Sequence, residues 1–292
     1  MSRRFYIVDV FTRRAYAGNP LAVVADAEGL TTRRMQQIAL EMNYSETTFI
    51  LPRQAGRLPR VRIFTPRTEL PFAGHPAIGT AHVIRTELSR RARMNLTLQL
   101  GIGPISVVSD DRSGRDFYWM RQPAARFGRR PGAAAAASAL GLKTADLVAE
   151  WPIEEVSTGI AFLIVPVRTR AALERCRVDP DLSAALLNRL EADAILAFAP
   201  EAAAKGHAVS VRVFVDALGV PEDPATGSGN GCLAAYLARH RCLGDSRVDV
   251  CAEQGWMLAR PSTLHLRATE RDGNVDVRVG GGCVTVARGK LL

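Results

Sequence analysis

Apolar residues along the 292-residue chain keep two rhythms, strand alternation and helical spacing, and the order in which they alternate occurs twice. "RFYIVDVF" near the start and "LAVVAD" after it read as strands, separated by "YAGNP", in which Gly18, Asn19 and Pro20 supply turn chemistry. "LTTRRMQQIALEMN" switches to the helical period, with Met35, Ile38, Ala39 and Met42 on one face and Thr31 or Thr32 as N-cap. "YSETTFILP" and "RLPRVRIFTP" return to strand. The latter leads through "ELPFAGHP" into a helix, "AIGTAHVIRTEL".

From about residue 115 a similar order begins again. "VSTGIAFLIVPV" (156–167) follows the pattern of "YSETTFILP", with Ser157 over Ser45 and Phe162 near Phe49, and "VSVRVFVD" (209–216) follows "PRVRIFTP". "ATGSGNGCLAAYL" (225–237) lies over "FAGHPAIGTAHVI" (72–84) at an offset of 153, which sets Gly227 against Gly74 and Ser228 against His75. Between them, "PGAAAAASALGLKTADL" could serve as a flexible linker, but its alanines favour a surface helix near the domain junction, with "GLKTADL" as a helix end followed by a newly capped helix. "STLHLRATE" and "NVDVRVGGGCVTVARGKLL" close the chain as strands joined by a turn at 271–274. The duplication predicts one half at 1–115 and another at 116–277, with 278–292 able to finish the second or return to the first.

A strand that runs into Gly-X at a helix start leaves backbone N–H groups aimed out of the helix, where they favour anions. Gly74 and Gly227 suit such a turn because the backbone must bend sharply and come close to a ligand. Two facing starts would cradle a carboxylate; the plainer reading is a pair of ordinary strand-to-helix turns. Near them stand three candidates for proton handling. Asp223, in "VPEDPATGS", and His75 can act as orienting or proton-transferring groups, although an acid pair before a glycine turn also fits a solvated loop. Glu46 lies between Tyr44 and Phe49, where burial would raise its proton affinity as a general base requires; an acid beside a strand can equally be just exposed.

Composition narrows the classes. The chain is 47% hydrophobic and 6% aromatic, a globular balance. No apolar run reaches the roughly 18 residues of a membrane span, and the start lacks a signal-peptide core, so a cytoplasmic protein without a membrane partner is expected. Five cysteines without CxxC spacing and five scattered histidines predict neither disulfide framework nor metal site. The net charge of +9 comes mainly from arginines spread along the chain, without the basic and aromatic interleaving of a nucleic-acid surface. No nucleic-acid partner is expected; attraction of an anionic substrate remains.

Taken together, "GNPLAVV", "NYSETTFI", "FTPRTELPFAGHPAIGTAHV", "STGIAFLIVPV", "EDPATGSGNGCLAAYL" and "EQGWMLARPSTL" resemble the phenazine biosynthesis PhzF-like family of isomerases, nearly end to end. The resemblance implies a diaminopimelate-epimerase-like α+β fold: two similar domains, each a curved, mostly antiparallel sheet wrapped around a central helix, with the active site between them. It implies catalysis without cofactor or metal, a small carboxylate substrate, and commonly a homodimer. By motif, the family's catalytic glutamate falls on Glu46, its glycine-histidine pair on Gly74 and His75, its DPATGS aspartate on Asp223 and the serine on Ser228, beside Gly227. Gly229 departs from the alanine common after that serine, which puts pocket shape in question. The expected function is an isomerase that moves a proton with a single glutamate. Two alternatives stand beside it: a non-catalytic carboxylate binder, and an epimerase or racemase of an amino-acid-like substrate. Two-thiol chemistry is hard to build here, since no cysteine precedes Cys176 and Cys232 sits four residues beyond Ser228. In the family's named member the substrate is a dihydro-hydroxyanthranilate; nothing in these residues identifies the ring.

Overall fold

The architecture comes from a computed structural model that describes residues 2–52, 58–89, 95–110, 116–215 and 220–292. The expected boundary at residue 115 lies outside the described residues. The chain forms two compact units, Met1–Arg121 with Gly280–Leu292, and Gln122–Val279. Each is α+β, a mostly antiparallel sheet curved round one apolar helix.

The first unit runs β1 (Arg3–Val10), β2 (Asn19–Val24), α1 (Thr32–Met42), β3 (Glu46–Ile50), β4 (Val61–Phe64), β5 (Glu69–Leu70), α2 (Gly74–Val83), β6 (Asn95–Leu100), β7 (Gly103–Ser109) and β8 (Phe117–Arg121). Thr31 caps α1, accepting from the Arg34 N–H, and Asn43 closes it in the left-handed region. Met35 and Ala39 seat α1 on Phe49 and Phe64. β1 pairs antiparallel with β2, β2 parallel with β3, and β3 antiparallel with β4. Helix α2 packs against β1, β2, β3, β6, β7 and β8. All ten of its residues are buried, which explains why its sequence has no polar face.

The second unit repeats this order: β9 (Arg126–Phe127), α3 (Ala133–Ala139), β10 (Glu154–Ser157), β11 (Ala161–Pro166), α4 (Arg170–Arg175), α5 (Pro180–Leu187), β12 (Ile195–Ala199), β13 (Val209–Val215), β14 (Val220–Asp223), α6 (Gly227–Arg239), β15 (Arg247–Gln254), β16 (Ser262–Arg271) and β17 (Asn274–Leu291). Again an antiparallel pair, β10–β11, is followed by a parallel step to β12 and an antiparallel one to β13. Helix α6 packs against β10, β11, β15 and β16 and is buried from Gly227 to Ala238.

This order corrects the internal alignment in one place. "VSTGIAFLIVPV" is the hairpin β10–β11, and its counterpart is β1–β2; the counterpart of β3 is β12. Short strands that are buried over most of their length read alike in a single sequence, so their pairing is what tells them apart. The alanine helix α3 is also more than a surface element, since Ala136, Ala137 and Ala139 join a core cluster with Leu173, Leu186 and Ile195. From Cys283 to Leu291, β17 pairs with β1, so the chain's end completes the first unit's sheet.

Candidate active site

In the first unit three chain segments meet at the start of α2. Gly18 has φ +69°, and a Cβ there would lie 2.2 Å from the Val10 carbonyl oxygen, so only glycine lets the chain turn this tightly against β1. The turn delivers Asn19, which with Pro20 begins β2 and does not belong to the turn itself. Glu46 opens β3 beside Leu21. His75 is the second residue of α2, whose N-cap, Ala73, offers no side-chain hydrogen bond. Pro76 follows inside the first turn, where its missing N–H costs nothing.

Asn19 Nδ2 lies 3.3 Å from His75 Nδ1. With the amide donating, Nδ1 is the acceptor and the neutral ring carries its proton on Nε2. Nε2 lies 3.3 Å from Glu46 Oε2, in contact but without hydrogen-bond alignment. His75 is only 3% exposed, and burial pushes its pKa down to about 3. The imidazole is therefore neutral at pH 7, and a neutral donor faces the carboxylate. Asn19 was missed in the sequence because "GNP" carries so clear a turn signature.

The second unit builds the equivalent helix start differently. Asp223 ends β14 and is 7% exposed. Its Oδ2 accepts the Thr226 hydroxyl at 2.5 Å, so Thr226, the N-cap of α6, gives its side chain to the acid and leaves the helix without a side-chain cap. The neighbouring Glu222 forms a bidentate pair with Arg212, at 2.9 and 2.7 Å, and Arg212 also donates to the Leu173 and Cys176 carbonyls at 3.0 and 2.9 Å. The acid pair is thus divided: Glu222 anchors β14 to β13, and neither acid lies in a solvated loop. Gly227 and Ser228 are the first two residues of α6, as Gly74 and His75 are of α2. Gly229 has a packing reason, since a Cβ there would meet Leu196 Cδ1 and Phe162 Cε1 at 3.2 Å. Cys232, one turn further on, is wholly buried, and burial pushes its thiol up to about 12.

Each half therefore presents a buried, uncapped helix start with a titratable side chain against it. The fold is a duplicated α+β fold with one such helix start in each unit. Residues 8–289 match the PhzC-PhzF family, described as phenazine biosynthesis-like protein, and the chain belongs to that family. It is 35% identical to the trans-2,3-dihydro-3-hydroxyanthranilate isomerase of Pseudomonas aeruginosa over 98% of both chains. Among solved structures it is similar to a phenazine biosynthesis protein of the PhzF family from Bacillus anthracis, with a TM-score of 0.91 and 27% identity over 100% of this chain and 99% of that one. A predicted epimerase from Pseudomonas aeruginosa matches with a TM-score of 0.82 and 35% identity over 99% of each chain. The enzyme class is isomerase. No described helix is long and apolar enough to cross a membrane.

Proposed function

We propose that this protein moves a proton within a small, conjugated carboxylate, without a cofactor, using Glu46 as the single carrier. Glu46 takes a proton from a carbon next to the conjugated system. The electron pair left behind spreads over that system, and Glu46 returns the proton to a different carbon on the same face, so that no atom is gained or lost. The observation that carries this reading is the 3.3 Å contact between Glu46 Oε2 and the Nε2 of a buried, neutral His75. A neutral imidazole beside the carboxylate can orient substrate without competing for the proton at pH 7. Asp223 and His75 position the substrate and assist transfer, while the N–H groups at Gly74, Gly227 and Ser228 hold its carboxylate.

A two-thiol epimerase is the weaker reading. His75 and Ser228 occupy the helix starts, and the nearby thiol of Cys232 is buried and protonated at pH 7. Because the Pseudomonas aeruginosa relative is named for trans-2,3-dihydro-3-hydroxyanthranilate, that compound is the first substrate to try. A cytoplasmic homodimer accompanies the family reading; light scattering of the purified protein checks the dimer.

Glu46→Gln keeps the side chain's size and removes its ability to carry a proton. Turnover of that substrate should fall by ~10²–10⁴, while the affinity for 3-hydroxyanthranilate, an aromatic analogue with no proton to move, should change far less. A folded Glu46→Gln protein that binds the analogue and still isomerises at close to the wild-type rate removes Glu46 from the mechanism.

A further inference from the structure

The "EQG" motif at the end of β15 has no role in the mechanism above, yet its glutamine reaches the loop that carries Asp223. Gln254 is 1% exposed, and all four of its amide interactions are filled. Oε1 accepts from the Thr226 backbone N–H at 3.2 Å and from Asn230 Nδ2 at 2.8 Å. Nε2 donates to the Asp223 carbonyl at 2.7 Å and to Thr226 Oγ1 at 3.1 Å. These partners fix the amide's orientation from both ends. A backbone N–H can only donate, so oxygen faces Thr226 N; a carbonyl can only accept, so nitrogen faces Asp223 O. Thr226 Oγ1 then accepts a hydrogen bond from Gln254 Nε2 and must turn its own O–H towards Asp223 Oδ2, 2.5 Å away.

The loop between is clamped from the same side. Ser262 Oγ donates to the Pro224 carbonyl at 3.0 Å. Gly255, at φ +79°, passes so close that a Cβ would lie 2.5 Å from the Pro224 oxygen. The Asp223 and Pro224 carbonyls and the Thr226 N–H are thus held by β15 and β16 of the second unit.

We propose that Gln254 and Thr226 are positioning residues for Asp223: a one-way chain of hydrogen bonds, Gln254 to Thr226 to Asp223, holds the carboxylate as an acceptor at Oδ2 and fixes its rotation. Asp223 then meets the substrate with its rotation fixed and Oδ2 committed as an acceptor. It does not deliver a proton through Oδ2. The inference rests on the reading that Asp223 serves the reaction, and deepens it.

The test uses Thr226→Val, which keeps the shape and removes the hydroxyl, Thr226→Ser, which restores it, and Gln254→Met, which removes the orienting amide. Carbon-13 NMR of aspartate-labelled protein follows the Asp223 carboxyl through its titration, assigned by its absence in Asp223→Asn. Without substrate, the midpoint should rise in Thr226→Val, rise less in Gln254→Met and return in Thr226→Ser. Turnover of trans-2,3-dihydro-3-hydroxyanthranilate should fall about 10-fold to 100-fold in Thr226→Val, as for the loss of one hydrogen bond to a charged group, and recover in Thr226→Ser. An unmoved midpoint in a folded Thr226→Val protein overturns the inference, whatever the turnover. An Asp223→Asn enzyme with wild-type turnover overturns the reading beneath it instead, even where the midpoint moves.

Discussion

His75 has its charge state set by packing and not by its own chemistry. An imidazole in an unfolded chain titrates near its ordinary 6.5, whereas burial holds the folded one at about 3. Above pH 6.5 neither state binds the proton and stability is complete. As pH falls from 6.5 towards 3, the unfolded chain takes up a proton that the native state refuses, so stability drops. At pH 5 the cost is about 2 kcal/mol, from 1.36 kcal/mol per pH unit. Urea unfolding at pH 7 and pH 5 should show the wild type losing about that much more than His75→Gln; equal losses would mean that His75 is protonated in the folded protein. The same residue marks how far the sequence could be read. "GHP" announced a histidine at a helix start, but the Asn19 contact that selects its tautomer joins residues 56 apart and leaves no local pattern.

Helix α2 shows what an element owes to its surroundings. Its small residues are not there for helix propensity: a Cβ on Gly79 would lie 2.6 Å from Leu21 Cδ2 and 2.9 Å from Val10 Cγ2, so the glycine lets β1 and β2 close on the helix. Gly79→Ala would gain up to about 1 kcal/mol in propensity and lose roughly 1–3 kcal/mol to overpacking. The expected net is a lower thermal midpoint, measured by circular dichroism; a raised midpoint would show that Leu21 and Val10 can make room. The helix was legible because an apolar run of this length behind Gly-X-Pro suits a buried helix. The helix was expected to run to Leu88, and it does so as a π-helical turn, Ile84–Leu88, closed by the Ser89 N–H on the Ile84 carbonyl at 3.0 Å; only that change of step had no counterpart in the pattern. A one-residue change of hydrogen-bond step alters no residue type.

At the scale of the molecule, the chain's end belongs to the unit where the chain begins. Each residue of β1 has a partner in β17, from Arg3 with Leu291 to Val10 with Cys283. Removing 280–292 should leave β1 paired only with β2 and expose the buried Val8 and Val10. Native-state hydrogen exchange of the truncated protein should then show fast exchange in β1 and α2, with β12 and β13 in the second unit keeping their protection. Uniform loss across both units would mean that they unfold as one.

The duplication, the central helices and the glycine turns were determined by sequence alone, because each rests on local requirements: strand alternation, an all-apolar helix, a backbone bend that only glycine makes cheaply. That Gly74 with His75 and Gly227 with Ser228 stand at helix starts was legible through motifs of the same local kind, whereas the roles given to Glu46 and Asp223 come from the family resemblance and are proposals. Tertiary structure alone decided the alignment of the repeats, since the pairing shows β10–β11 to be an antiparallel hairpin and β3 a strand parallel to β2. It also decided which acid of the Glu222–Asp223 pair is anchored by Arg212 and which receives the Thr226 hydroxyl. And it alone brought Gln254 to Thr226 from 28 residues away. Hydrogen bonds between distant residues depend on direction and burial, and neither is written in the spacing of residues along a chain.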